Sequence, residues 1–120
     1  MDAHLDALLY ERLPAPALDE AWLAFYTARD ERNGRPFDGR LEEQMLRTRN
    51  RLVLHYAPIV KYATYRYQTS RGGSVEPSVL AVSLLRVIRG MMTRPSGDIE
   101  DWTAECVALT CSALTNLDTV

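Results

Sequence analysis

Cysteine, histidine, lysine and long apolar runs are all scarce in this chain, and each scarcity removes a class of protein. Its two cysteines, Cys106 and Cys111, lie five residues apart. On a helix that spacing sets them about 140° apart around the axis, so they cannot share one metal ion. They read as small apolar packing residues. The two histidines, His4 and His55, have no cysteine or carboxylate at ligand spacing, which argues against zinc. Neither a disulfide scaffold nor a basic, apolar leader is visible, so the expected compartment is the cytoplasm. The longest uncharged runs, such as Cys106 to Leu117, fall well short of the roughly 20 apolar residues that cross a bilayer. No membrane segment is expected.

Catalytic signals are equally thin. No nucleophile stands beside a partnered base, and of the acids Asp98, Glu100, Asp101 and Glu105 the first three are explained by helix capping and dipole complementarity. Arg71-Gly72-Gly73-Ser74 lacks the lysine and the preceding strand of a phosphate loop, and reads as an interhelical turn. The expectation is no enzyme, no cofactor and no metal.

What is present is one domain's worth of chain: 120 residues, 47% apolar and 25% charged, enough for a packed core. Net charge is only -2, but it is unevenly placed. Residues 1 to 20 carry five acids and one arginine, and residues 21 to 71 carry ten bases and five acids. From residue 98 onward there are five acids and no lysine or arginine, so that end cannot neutralise phosphates. Lys61 is the sole lysine against thirteen arginines, which reads as codon usage rather than chemistry.

Apolar residues recur at spacings of three and four nearly everywhere, and no alternating strand pattern occurs. The fold class is therefore all-α, with about five helices. A short helix is expected from Asp2 or Ala3 to Arg12, ended by Pro14 and Pro16, with residues 1–17 as a helix plus linker and 18–120 as the main domain. Asp19 should cap a second helix from Glu20 to Arg32, with Trp22, Leu23, Phe25 and Tyr26 as its apolar stripe. The longest helix is expected from Arg40 to Tyr67, burying Leu52, Tyr56, Ile59, Val60 and Ala63, with a kink or break at Pro58. Pro77 should open a fourth helix to Met92. Asp98 and Asp101 should cap a fifth, running to about Leu114.

Along the longest helix and the turn after it, Arg47, Arg49, Arg51, Lys61, Arg66 and Arg71 interleave with Tyr56, Tyr62, Tyr65 and Tyr67. Basic and aromatic side chains together can hold a nucleic-acid backbone and stack bases, although a solvated amphipathic face reads the same way.

The run R-N-R-L-V-L-H-Y-A-P-I-V-K-Y-A over Arg49 to Ala63 resembles a segment of bacterial sigma factors of the flagellar and sporulation type, roughly R-x-R-L-I-L-H-Y-S-P-L-V-K-Y-V. Upstream, L-D-E-A-W at Leu18 to Trp22 and A-R-D-E-R at Ala28 to Arg32 resemble the L-D-E-L-W and G-D-E-R elements of that family. About a dozen inserted residues around Asn33 to Arg47 lengthen the connection, and the likeness fades after Leu85. The resemblance implies the family's second region: an all-helical domain that docks on a coiled coil of core RNA polymerase and melts promoter DNA.

The departures sit on the surfaces that do this work. In the docking helix the family's aspartate falls on Val79 and its polar pair on Val82 and Ser83. Arg86 and Arg89 stand where the family has apolar residues and would repel a basic coiled coil. In the last helix Trp102 takes the place of a phenylalanine, a tyrosine becomes Glu105, and two arginines become Leu109 and Cys111. The chain also ends at Val120, before a helix-turn-helix domain, so a complete sigma factor is not expected.

Two readings follow from these residues. In one, a degenerate region-two-like domain regulates transcription through protein contacts at Val79, Val82, Ser83, Leu85, Arg86 and Arg89, the partner being RNA polymerase core, a sigma or anti-sigma factor, or a second copy. In the other, a shortened sigma factor still touches promoter DNA through Arg47, Arg51, Lys61, Arg66 and Trp102. Binding to DNA is expected to be weak or absent in the first.

Overall fold

The computed structural model describes residues 13–73 and 75–118, Asp118 in its backbone only. Four helices, rather than five, occupy these residues: α1 (Ala15–Gly34), α2 (Gly39–Ser70), α3 (Pro77–Thr93) and α4 (Thr103–Asp118). No strand occurs among the described residues. The expected helix at Asp2 or Ala3 to Arg12 lies outside them.

The start of α1 differs from the sequence expectation. Pro14 is the cap and Pro16 sits in the first turn, so the helix opens five residues before Glu20 and Asp19 lies inside it. A proline there loses no hydrogen bond, because first-turn amides have no intrahelical partner. Trp22, Phe25, Tyr26 and Arg29 recur at the three and four spacing and are all buried, whereas Leu23 points to solvent.

Asp38 caps α2 by accepting from the amides of Arg40 and Leu41 at 3.0 and 3.3 Å. The helix passes through Pro58 as one element of 32 residues. Its core stripe is the expected one, with Leu52, Tyr56, Ile59, Val60 and Ala63 buried. Gly73 then donates to the Gln68 carbonyl at 2.8 Å, closing the helix in a plain turn.

Helix α2 is the central element and packs against α1, α3 and α4, while α3 and α4 pack against each other. The core joins Trp22, Phe25, Met45, Leu52, Tyr56, Val87, Met91, Trp102 and Cys106. Trp22 donates its indole hydrogen to the Tyr56 hydroxyl at 2.9 Å. The Trp102 ring meets those of Trp22 and Tyr56 edge-on at 5.3 and 5.4 Å.

Helix α4 begins at Thr103, five residues after the expected cap. The Asp98 carboxylate is held by Arg94 at 3.1 Å and by the Glu100 amide at 3.1 Å, which makes it a loop residue. Asp101 instead accepts from the Thr103 amide and hydroxyl. Gly97, at φ 90°, turns the chain where a side chain would be strained.

Candidate protein-docking groove

Helices α3 and α4 run antiparallel, and their levels are set at Gly90. A Cβ on that residue would lie 2.9 Å from Leu109 Cδ1 and 3.0 Å from Trp102 Cζ2, so the missing side chain lets the two helices meet. On either side of this contact the helices part into a groove. Toward the N-terminus of α3, Val82, Leu85, Arg86 and Arg89 face Ala113, Asn116 and Leu117 around about 310 Å³. Toward its C-terminus, Thr93, Asp98, Glu100, Asp101 and Glu105 surround about 510 Å³ above Trp102 and Leu109. Val82, Arg86, Arg89 and Thr93 are spaced four, three and four apart, and Glu105, Leu109, Ala113 and Asn116 four, four and three. Each set is one helix face, so the two depressions lie along one seam.

The first depression carries apolar side chains and two cations, with no acid in its lining. Leu85 is 61% exposed and Leu117 41%. The Arg86 Nε is buried without a hydrogen-bond partner. The second depression is lined by four carboxylates and one cation, Arg94, which pairs with Asp98, so its net charge is acidic.

The expected protein-binding residues thus divide. Val82, Leu85, Arg86 and Arg89 converge on the groove, and Val79 lies one turn beyond, half-buried. Ser83 does not belong with them. It is fully buried, with its hydroxyl 3.1 Å from that of Thr64 on α2, because it falls on the face that carries Val87 and Met91 into the core.

The expected nucleic-acid residues divide as well. Arg47 and Arg51 are exposed and Lys61 half-buried on one side of α2, in line with Leu54 and Tyr65 but interrupted by the buried Pro58. Arg47 also pairs with Glu43 at 3.2 Å. Arg66 is exposed but turned toward α4, its guanidinium 6.0 Å from the Tyr62 ring centre. Trp102 is 5% exposed and packed among aromatic rings, so it offers no face on which a base could stack.

Two buried arginines hold the groove's acidic end in place, and sequence reasoning missed both. Arg29 is 5% exposed, and its Nη1 donates to the carbonyls of Met91 at 3.1 Å and Arg94 at 2.6 Å at the end of α3, where Met91 also accepts from the Arg94 amide at 3.4 Å. Its Nη2 donates to Ser96 Oγ at 2.8 Å. Arg94 lies over the Trp22 ring at 4.4 Å and donates to the Glu100 carbonyl at 2.8 Å. An arginine seven residues after Trp22, on an apolar stripe, was the available signal for Arg29.

Burial also governs the titrating groups nearby. Burial pushes the Tyr56 hydroxyl up to about 12, against the opposing hydrogen bond from Trp22. It raises Tyr26 in the same direction. The hydrogen bond from Ser96 lowers Asp30. His55 is buried, and its Nδ1 accepts from the Leu13 amide at 2.8 Å, which places that nitrogen in the unprotonated state. Among the described residues no three histidine, cysteine or carboxylate side chains are grouped to hold a metal ion, and no helix is long and apolar enough to cross a membrane.

No protein-family model, no curated protein and no solved structure matches this chain.

Proposed function

We propose that this chain is a protein-docking module on a sigma-region-two-like scaffold, regulating transcription by contact with a polymerase, sigma or anti-sigma protein. The observation that carries the docking half is the α3–α4 groove: Leu85 stands 61% exposed beside Val82 and Leu117, flanked by Arg86 and Arg89. An apolar strip bordered by one sign of charge fits an amphipathic protein segment with acids beside its apolar face. The transcriptional half rests on the resemblance of Arg49 to Ala63.

Affinity capture with the tagged chain, scored for polymerase subunits, sigma and anti-sigma factors, tests this directly. Leu85→Glu should abolish capture and leave the circular dichroism helical, since Leu85 contributes little to the core. Equal capture by the variant would refute docking at this groove.

A second reading, contact with DNA, draws on the exposed Arg47 and Arg51 and the half-buried Lys61 on one side of α2. It places positive charge over about 21 Å of α2, at 1.5 Å per residue.

A further inference from the structure

The charge along the α3–α4 seam changes sign at its midpoint. On α3, Arg86 and Arg89 precede Gly90 by four residues and one, which at 1.5 Å per residue is about 6 and 2 Å along the axis. On α4, Glu105 precedes Leu109 by four residues, about 6 Å, and because the helices are antiparallel this lies on the opposite side of the Gly90 level. Asp101 and Glu100 continue the acidic side, and the basic side has no acid in its lining.

We infer that the occupant of this groove, in the isolated protein, is a second copy of the same chain, related by a two-fold axis passing near Gly90 and Leu109. A two-fold rotation there lays the acidic end of one copy over the basic end of the other. Arg86 and Arg89 of each copy then face Glu105 of the other, and every ion pair forms twice. Leu85 and Leu117, the exposed apolar residues of the groove, are covered in the same step. The same arrangement brings a carboxylate to the Arg86 guanidinium. A surface carrying only one sign of charge would repel its own copy. This inference rests on the groove being a docking face and names what fills it, so self-association competes with the transcription protein for the same residues.

Sedimentation velocity of the full chain, from a few to several hundred micromolar and at two salt concentrations, reads this out. Wild type should dimerise, less tightly at the higher salt. Arg89→Glu and Glu105→Arg should each weaken association by about tenfold or more, and the double variant should recover to within about threefold of wild type, as paired charge reversal requires. Both positions are exposed, so each variant should retain its helical spectrum. A wild type that stays monomeric overturns the inference, as does a double variant weaker than either single one, or a dimer unaffected by Leu85→Glu. If the chain is monomeric and Leu85→Glu still abolishes capture of a polymerase, sigma or anti-sigma protein, the docking groove stands and only the second copy falls.

Discussion

Replacing Arg29 by methionine keeps the length of the side chain and removes its donors, and the structure sets how much that should cost. Two of its bonds, to the carbonyls of Met91 and Arg94, are buried. Bonds from a charged donor contribute about 1.5 to 3 kcal/mol each. The contact to Asp30, whose side chain is half exposed, adds little. Apolar replacement of a whole buried ionic group can be neutral, but here the acceptors are main-chain carbonyls that stay behind, with Met91 left only the long 3.4 Å bond from the Arg94 amide. The expected loss is therefore about 3 to 5 kcal/mol, a large share of the roughly 5 to 15 kcal/mol that holds a typical domain together. Arg29→Lys keeps the charge but not the fork, and should lose less, about 1 to 3 kcal/mol. Urea unfolding followed by the fluorescence of Trp22 and Trp102 measures both, with the methionine midpoint falling by about 2 to 3 M at a slope near 1.5 kcal/mol/M. A methionine variant within about 1 kcal/mol of wild type would refute the view that Arg29 ties α1 to the end of α3.

Stability should also fall in alkali through Tyr56. Its hydroxyl titrates at about 12 when folded and near 10 when unfolded, so the unfolded state loses its proton first. The contribution is complete below pH 10 and is lost as pH rises through 12, amounting to about 2 to 3 kcal/mol. Unfolding free energies measured between pH 9 and 12 should show this slope, and Tyr56→Phe should flatten it. If the α2 stripe binds DNA, retention on a promoter duplex should drop with salt, with a log-log slope of about -3 for Arg47, Arg51 and Lys61 together. Arg47→Ala with Arg51→Ala should make that slope shallower by about 2, and unchanged retention would count against DNA contact.

Much of the helical layout was open to reading in one dimension, because the relevant forces are local. The three and four spacing through Ala63, and Pro77, each act within a turn or two of their own position. Local rules failed where a distant partner took over a local group. Asp98 has the chemistry of a cap, yet Arg94 and the Glu100 amide hold it in the loop, so α4 starts later. Ser83 looks like a surface substitution until α2 brings Thr64 to it.

Of the docking groove, only the α3 half was legible. Leu109, Ala113 and Leu117 repeat at helical spacing, but nothing in that repeat says which helix they face.

Composition and periodicity alone determined that the chain folds as helices around an aromatic and aliphatic stripe, since burying apolar side chains at a 3.6-residue period admits no other regular structure. Tertiary packing alone decided that Arg29 and Arg94 are buried ties rather than surface cations, and that two helices of opposite charge character share one seam. The Arg29 tie depends on groups more than 60 residues apart in the chain meeting in space, and the seam on residues such as Gly90 and Leu109 that lie beyond the reach of one helix. Short-range preferences carry no information about such meetings.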